Sequence, residues 1–437
     1  MRIIVNRKSL VIVMFAFALL VGPAAAPGAP AARQTAGQTA APAAAQSATS
    51  ATSATTRSSL TTESTRSSLT TESAQPAPAD TTLDEIAALL AGLPGDAPSL
   101  KALRETPAWA KFAESMDKSW ADLETKRLAP MRAWAEKELF DARAWGKFIF
   151  YPFGGPDFMT AFELFPEAET YVLLGLEFCG RLPRPDAWKA HQADVYWNNL
   201  AKSLSDFFDK SYFITKHMDE TLYGQVEGVL PIVAFFLKRT GNTILEIRRL
   251  EFDAQGEAVE SSYDTAKKSF RPYGIKIKFA AAGSEQAKTI LYVSCDLENK
   301  AFRKDAPFTL YLDKLVAPPV TTYLKSASYL LHYAEFSNIR EMIMAKSKFV
   351  VQDDTGIPYK AFKPALWQVR LYGEYAKPIK DFSGVDQLDL QKAYEEGKEV
   401  IPKLPFHLGY HWRDSRDALL LVEKRDVPLP EPAPKKR

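Results

Sequence analysis

This chain of 437 residues has few cysteines, a small net charge and few long hydrophobic runs. No cysteine precedes Cys179, which excludes a lipoprotein anchored through an N-terminal cysteine. The 55 Lys and Arg residues nearly balance the 53 Asp and Glu residues, and the net charge of +2 gives no reason to expect nucleic acid or an acidic membrane as a partner. The remaining composition, 46% hydrophobic and 12% aromatic, is that of a globular protein and excludes collagen-like, coiled-coil and wholly disordered chains.

Residues 1–26 have the order of a secretory signal peptide: a basic start, an apolar run from Leu10 to Val21, and then small residues. The run is well short of the roughly 20 residues that a membrane-spanning helix needs, so a retained membrane anchor is the weaker alternative. We predict cleavage between Ala24 and Ala31, export to the periplasm or the extracellular space, and no membrane insertion afterwards. Cleavage removes three basic residues and leaves a mature net charge of −1.

Composition divides the rest of the chain into a linker, a body and a tail. Residues 27–80 are mostly Ala, Ser, Thr, Gln and Pro, which cannot bury enough surface to offset the entropy of ordering, so we predict a disordered linker. Within it, Thr56–Ser64 is repeated without change as Thr65–Ser73, either as a spacer or as an unselected remnant. Residues 81–425 are predicted to form one globular domain, and residues 426–437 a tail rich in Pro and Lys.

Hydrophobic periodicity predicts an α+β fold, with helices packed on a single mixed, largely antiparallel sheet. Thr170–Phe178 is almost continuously apolar, which indicates a strand buried on both faces. Pro107–Leu139 is predicted to be a helix that its internal proline breaks or kinks. Thr321–Tyr333 is interpreted as a short helix, and the alternation in Phe406–Trp412 as a strand. A doubly wound parallel sheet is the alternative, and it is disfavoured because strand–helix alternation fails in the middle of the chain.

Two loops carry acidic candidates. Gly154-Gly155-Pro156-Asp157 lies between a predicted strand and a predicted helix, where free N–H groups could hold an anion. Asp157 would repel that anion, so a structural turn is preferred. Asp354-Thr355-Gly356 matches the aspartic protease motif, but that mechanism needs a second copy or a symmetric dimer. We therefore prefer a strand, Lys348–Gln352, that leads into an Asx-type turn in which aspartate caps the backbone and Gly356 has a positive φ.

Three histidines have an acidic residue three positions further on, at helical spacing. A metal site needs three or four converging ligands, and these pairs are scattered along the chain, so we predict neither a metal ion nor another cofactor. His407 and His411 resemble a helical metal pair, but on the predicted strand they would be about 13 Å apart. The three pairs are His191 with Asp194, His217 with Glu220, and His332 with Glu335.

Nucleophilic motifs are incomplete. The chain has no G-x-S-x-G motif, and the S-x-x-K match at Ser115–Lys118 lacks its companion segments. Cys179 and Cys295 could form a disulfide in an exported protein, but Cys295 shares a strand face with apolar residues. We therefore prefer two buried thiols to a bridge.

Several strings together resemble those of a family of secreted bacterial proteins with no known activity. The resemblance extends over about residues 147–412 and implies export and a single domain. It assigns no catalytic residues and no substrate. The strings are YPFGGPDF and FPEAETYVLLGLE (Tyr151 to Glu177), TTYLKSASYLLHY (Thr321 to Tyr333), FSNIR (Phe336 to Arg340), FVVQDDTGIPYKAF (Phe349 to Phe362) and LPFHLGY (Leu404 to Tyr410).

Two functions from different classes follow from these observations. The preferred one is a non-catalytic module at the cell envelope that binds a protein or a glycan through exposed aromatic side chains, because no catalytic set is complete. Its candidate aromatic residues are Tyr151, Phe153, Tyr359 and Trp367.

The alternative is an extracytoplasmic hydrolase. Its site would be a cleft at the strand ends, formed by the Asp157 loop, His332 and the turn at Asp353 and Asp354. General acid–base chemistry needs such groups within a few ångströms of one another, so this hypothesis depends on their meeting in the fold.

Overall fold

The computed structural model describes residues 81–213, 226–263, 274–284, 286–316, 319–411 and 416–425. These residues form one mixed sheet of ten strands with helices packed on it, which confirms the predicted fold class. The predictions for the signal peptide, the linker and the tail lie outside the described residues. In chain order the strands are β1 (Phe148–Tyr151), β2 (Thr170–Gly175), β3 (Thr243–Phe252), β4 (Ala258–Ser262), β5 (Gly274–Ala280), β6 (Ala287–Ser294), β7 (Val320–Leu324), β8 (Ser347–Asp353), β9 (Trp367–Gly373) and β10 (Ala418–Lys424).

The helices bury apolar stripes, as where the rings of Phe112 and Trp197 stack with centroids 5.3 Å apart. Within the described part of the chain, no helix is both long enough and apolar enough to span a membrane. In chain order the helices are α1 (Leu83–Leu90), α2 (Pro98–Arg104), α3 (Pro107–Leu123), α4 (Ala129–Glu138), α5 (Phe140–Trp145), α6 (Phe158–Leu164), α7 (Ala190–Lys210), α8 (Leu230–Arg239), α9 (Pro307–Leu315), α10 (Ser337–Lys346) and α11 (Leu388–Glu396).

The long helix predicted for residues 107–139 is interrupted, as expected. A π-helical turn, Glu124–Leu128, separates α3 from α4, and Pro130 lies in the first turn of α4. Proline is tolerated there because the first N–H groups of a helix have no partner within that helix.

Parallel strands form the centre of the sheet, and antiparallel strands form both flanks. The order is β4-β3-β5-β6-β2-β1-β7-β8-β10-β9, in which β6, β2, β1, β7 and β8 are mutually parallel. The other pairings are antiparallel. The interior of β2 is buried, as its apolar run predicted, because both of its neighbours are parallel strands covered by helices.

The chain reverses its direction across the sheet between β1 and β7. From β1 it passes through α6 to β2 on one side, and it later returns to place β7 and β8 on the other side. In open sheets with parallel strands, ligands bind beyond the carboxyl ends of the strands at such a reversal, because the connections leave in opposite directions and open a crevice. The fold therefore singles out the carboxyl ends of β1, β7 and β8.

Two elements beside this edge differ from the predictions. Thr321–Tyr333 is not one helix: Thr321–Leu324 belong to β7, and a 3-10 helix occupies Ala327–His332. Phe406–Trp412 was predicted to be a strand, but the described residues 406–411 form a loop that ends in a 3-10 turn, Gly409–His411. Phe406 and Leu408 are still buried, so a loop that packs into the core produces the same alternation as a strand.

Candidate functional site

Five buried polar residues follow the ends of three neighbouring parallel strands. Asp157 follows β1, Lys325 and Ser326 follow β7, and Asp353 and Asp354 end and follow β8. None of the five is more than 5% exposed. Charged side chains are rarely buried without partners, so each of these residues must be explained by its contacts. We call these five residues the carboxyl-end cluster.

Asp157 and Lys325 form a buried ion pair. The Lys325 Nζ lies 2.5 Å from the Asp157 Oδ2 and also donates a hydrogen bond to the Ser211 carbonyl oxygen at 2.7 Å. Burial lowers the pKa of Lys325, and the Asp157 carboxylate opposes that shift. The pair ties β7 to the start of α6, so its first role is structural.

The remaining contacts of Asp157 leave its carboxylate fully engaged. Its Oδ1 accepts the backbone N–H of Thr160 at 3.2 Å, so Asp157 caps α6, as the structural-turn interpretation predicted. The Thr160 hydroxyl donates to the same oxygen, and the Tyr151 hydroxyl donates to Oδ2 at 3.0 Å. A negative group held in this way does not favour an anion at the glycine loop.

Ser326 has a strained backbone that Asp353 holds in place. Its φ of 66° and ψ of −88° are uncommon for a residue with a side chain. The Ser326 N–H donates to the Asp353 Oδ2 at 2.8 Å, and the Thr355 N–H donates to the Asp353 Oδ1 at 3.0 Å. The second bond is the predicted Asx-type turn. Gly356, however, does not have a positive φ: a Cβ there would stand 2.5 Å from the Gln352 side chain, so a close approach requires the glycine.

Burial and the carboxyl group of the next residue, Asp354, make ionisation of Asp353 unfavourable. Burial, followed by the nearby charge of Asp354, raises the pKa of Asp353 to about 7, although the hydrogen bonds from Thr355 and Ser326 favour the charged form. Asp354 accepts a hydrogen bond from the Tyr329 hydroxyl at 2.5 Å, and its Oδ2 lies 3.6 Å from the His411 Nε2. This part of the site therefore holds an acid near neutral pH beside a second carboxyl group.

His332 lies on the Asp354 side of the cluster. Its side chain hydrogen-bonds the backbone of Gly356, and burial lowers its pKa to about 4, against the opposing effects of that bond and of Asp354. The His332 Nε2 is buried and has no hydrogen-bond partner among the described residues. A neutral imidazole with one nitrogen held by the backbone keeps a lone pair on the other, so His332 can accept a proton.

The loop that carries Gly409 packs against the cluster. Gly409 has a φ of 65°, and a Cβ on it would stand 2.7 Å from the Asp353 Oδ2 and 3.3 Å from the Ser326 Oγ. A side chain at this position would therefore collide with the Asp353 carboxylate, and only glycine lets the loop approach this closely. On the same loop the His407 Nδ1 lies 2.7 Å from the Asp417 Oδ2, so His407 and His411, whose spacing resembles a helical metal pair, make separate contacts with carboxylates.

Buried hydroxyl groups without partners surround the same edge. In native proteins most buried polar atoms are hydrogen-bonded, so a group of exceptions indicates a place where water or a ligand binds. The hydroxyl groups that have no hydrogen-bond partner among the described residues include those of Tyr323, Ser326 and Ser328. Tyr323 interacts electrostatically with Asp157 and Asp353, and Tyr375 with Asp354.

The candidate residues of the hydrolase hypothesis thus meet at one edge of the sheet: Asp157, His332, Asp353 and Asp354. In the sequence, most of the central region of the chain separates Asp157 from Asp354. Sequence reasoning missed Lys325, Ser326 and Gly409. A Lys-Ser pair directly after an apolar segment was the available signal, but it became informative only once β7 was known to be a strand.

Several other candidates lie apart from the cluster. Ser115 and Lys118 are exposed on α3, and His191 and Asp194 are exposed on α7. His217 and Glu220 lie outside the described residues. In the described ranges, no group of three or more His, Cys, Asp or Glu side chains is arranged to hold a metal ion.

The aromatic residues of the binding-module hypothesis and the two cysteines can also be located in the structure. Of the four candidate aromatic residues, Tyr151 is 1% and Trp367 is 3% exposed, so neither can form a surface platform. Phe153 and Tyr359 are partly exposed. Cys179 and Cys295 are buried thiols that are not joined by a disulfide, in agreement with the preferred interpretation, and burial raises the pKa of each.

Comparisons with known proteins leave the function to be argued from this geometry. No protein-family model matches the chain, and no curated protein matches it significantly. The resemblance to a family of secreted bacterial proteins therefore stays a prediction.

Proposed function

We propose that this protein is an exported hydrolase whose active site is the carboxyl-end cluster together with His332. Support comes above all from one observation: the acid–base candidates Asp157, His332 and the Asp353–Asp354 turn converge at the carboxyl edge beside the reversal between β1 and β7. Strained backbone and perturbed pKa values concentrate at catalytic sites, and both occur here.

The roles follow from the surroundings of each group. Hydrolysis needs one group to remove a proton from the attacking oxygen and another to protonate the leaving group. Asp353 and Asp354 are adjacent, buried carboxyl groups, and burial together with the charge of Asp354 raises the pKa of Asp353 to about 7. His332 adds a neutral acceptor. Asp157 acts indirectly, since it holds Lys325 and with it the end of β7.

Replacing Asp354 by asparagine is expected to lower kcat for the most rapidly hydrolysed substrate by at least about 100-fold, the usual effect of losing a general acid or base. The substrate panel consists of chromogenic carboxylic esters, amides, phosphate esters and glycosides. Asparagine has the size of aspartate and still offers an oxygen to the Tyr329 hydroxyl, so the variant is expected to fold. Steady-state kinetics and thermal melting, on the same preparation, measure both effects.

The matched control is Asp305→Asn, which removes an aspartate whose side chain is 77% exposed and paired only with Arg303 on the surface. It is expected to leave kcat unchanged. If the wild-type protein hydrolyses none of the four classes, or if the Asp354 variant is as active as this control, the proposed function is wrong.

The exported state is supported by the N-terminal sequence and has its own test. Expressed from its full gene in a Gram-negative bacterium, the protein is expected to accumulate in the periplasm or the medium with an N-terminus generated between Ala24 and Ala31. Intact-mass measurement identifies the cleavage point. Replacing Phe15 and Phe17 in the apolar run by arginine is expected to keep the uncleaved chain in the cytoplasm. A wild-type chain that stays uncleaved in the cytoplasm contradicts export.

A further inference from the structure

Ser326 is placed as a nucleophile is placed in enzymes that use serine. It follows the last residues of β7, a parallel strand beside the reversal of the sheet, and precedes the 3-10 helix Ala327–His332. A sharp turn between strand and helix, with a serine in a strained conformation, presents the hydroxyl group at the carboxyl edge of the sheet. The chain lacks the G-x-S-x-G motif that usually marks such a turn, because the residues on either side are Lys325 and Ala327.

The conformation of Ser326 is costly and is held by its surroundings. A residue with a side chain at φ 66° and ψ −88° is strained relative to ordinary backbone. The hydrogen bond from its N–H to Asp353 and the buried ion pair of the preceding Lys325 fix both sides of the turn. Glycine would adopt this backbone conformation without strain, so the fold of the protein alone gives no reason for a serine at position 326.

The Ser326 hydroxyl is also unused by the fold. The side chain is only 5% exposed, and its Oγ has no hydrogen-bond partner among the described residues. It lies next to Gly409, whose backbone packs so closely on Asp353 and Ser326 that a Cβ there would stand 2.7 Å from the Asp353 Oδ2. A strained, buried and unpaired hydroxyl group next to a carboxyl group is better explained by chemistry than by stability.

We infer that Ser326 is the covalent nucleophile of the proposed hydrolase and that its substrates are carboxylic esters. This inference rests on the proposed function and adds the identity of the attacking group and of the substrate class. Asp353 takes the proton of the Ser326 Oγ while that oxygen bonds the carbonyl carbon of the ester. The bond from that carbon to the alcohol oxygen breaks, and the alcohol leaves with the proton returned by Asp353.

Water completes the reaction by the same route in reverse. Asp353 takes a proton from water, the water oxygen bonds the acyl carbon, and the bond to the Ser326 Oγ breaks. Ser326 recovers its proton and the carboxylic acid is released, so no oxidant, reductant or further reactant is needed. In the absence of substrate a catalytic serine and its base are often further apart than a hydrogen bond, and they approach each other when the substrate binds.

The test uses diisopropyl fluorophosphate, which phosphorylates activated serines with loss of fluoride. The wild-type protein is expected to carry one adduct, located on Ser326 by peptide mass spectrometry, and to lose hydrolysis of 4-nitrophenyl acetate in proportion. Ser326→Gly relieves the strained φ and is expected to melt no lower than the wild type, yet to lose labelling and ester hydrolysis by at least about 1,000-fold. Ser115→Ala, which removes an exposed hydroxyl on α3 apart from the cluster, is the matched control and is expected to keep both.

The outcomes separate this inference from the proposed function. Labelling at another residue, or full ester hydrolysis by a folded Ser326→Gly variant, overturns Ser326 as the nucleophile. If that variant stays active while the Asp354→Asn variant is inactive, water attacks directly and the proposed function stands without this inference. A wild-type protein that neither reacts with the phosphorylating reagent nor hydrolyses any substrate of the panel overturns both.

Discussion

Replacing Asp157 by asparagine is expected to lower the free energy of unfolding by about 3–5 kcal/mol, because the change leaves the buried Lys325 ammonium without its counter-charge. Lys325 is 3% exposed, and its Nζ would keep the Ser211 carbonyl oxygen but no carboxylate. Asparagine caps a helix as well as aspartate does, so its side-chain oxygen can keep the Thr160 N–H while its amide nitrogen takes the place of Oδ2. The loss therefore measures the charge rather than the cap. Urea denaturation of both proteins gives the difference.

A double-mutant cycle distinguishes the ion pair from the packing around it. Lys325→Met removes the ammonium group, and the Asp157→Asn/Lys325→Met protein is expected to be at least about 2 kcal/mol more stable than the sum of the single losses predicts, since both charges are then gone. Lys126 and Asp122 provide an exposed comparison on α3 and the adjoining π-helical turn, with side chains 73% and 64% exposed. Lys126→Met is expected to change the stability by less than about 0.5 kcal/mol. A loss of similar size at Lys126 and Asp157 would contradict the ion-pair argument.

Local pattern was sufficient to predict those parts of the fold whose partners are close in sequence. The cap at Asp157 depends on residues up to Thr160, and the break before α4 depends on Pro130. The apolar run of β2 reports burial directly. In each case the interaction that decides the structure lies within a few residues, so the sequence carries it.

β7 was missed because its polar residues are satisfied by distant elements. Thr321 and Thr322 are fully buried, and their hydroxyl groups contact the Ala142 carbonyl oxygen and the Ser347 hydroxyl. Threonine and tyrosine are common in strands, so the helix expected for Thr321–Tyr333 went against local propensity at its start. The adjacency of β1, β7 and β8 is a property of topology, and the carboxyl-end cluster follows from it. The candidate acids could therefore be named from the sequence, but their meeting could not be established before the strand order was known.

The dependence of stability on pH is expected to differ in sign between two variants of the site. Asp353 has a folded-state pKa of about 7 against an ordinary 3.8, so the folded protein binds more protons in that range. Its contribution to stability is present below about pH 4 and is lost as the pH rises to 7, by about 4 kcal/mol. His332 has a folded-state pKa of about 4 against an ordinary 6.5, so the unfolded chain binds more protons and stability rises with pH, by about 3 kcal/mol.

In the wild-type protein, the pH dependences of stability that come from Asp353 and from His332 oppose each other. Each variant removes one of the two groups, so the effect of the other becomes measurable. From pH 4 to 7, Asp353→Asn is expected to gain stability relative to the wild type, and His332→Gln is expected to lose it. The pKa values of Glu163 and Asp417 are also raised by burial, but these groups are common to all the proteins compared and cancel in the differences. Urea denaturation at pH 4, 5.5 and 7 measures how the free energy of unfolding changes with pH. His191→Gln, at an exposed position, is the control and is expected to show the same change with pH as the wild type.

Parallel pH profiles for Asp353→Asn and His332→Gln would show that neither group is held away from its ordinary pKa, which would remove an electrostatic reason for assigning acid–base chemistry to this edge. Opposite slopes would instead mean that the fold gives up several kcal/mol at neutral pH to keep a carboxyl group beside Asp354. A variant whose stability rises relative to the wild type as the pH increases, but which has lost hydrolysis, is the expected result for a group retained for function rather than for stability. Asp353→Asn is the substitution in this chain for which that combination is predicted.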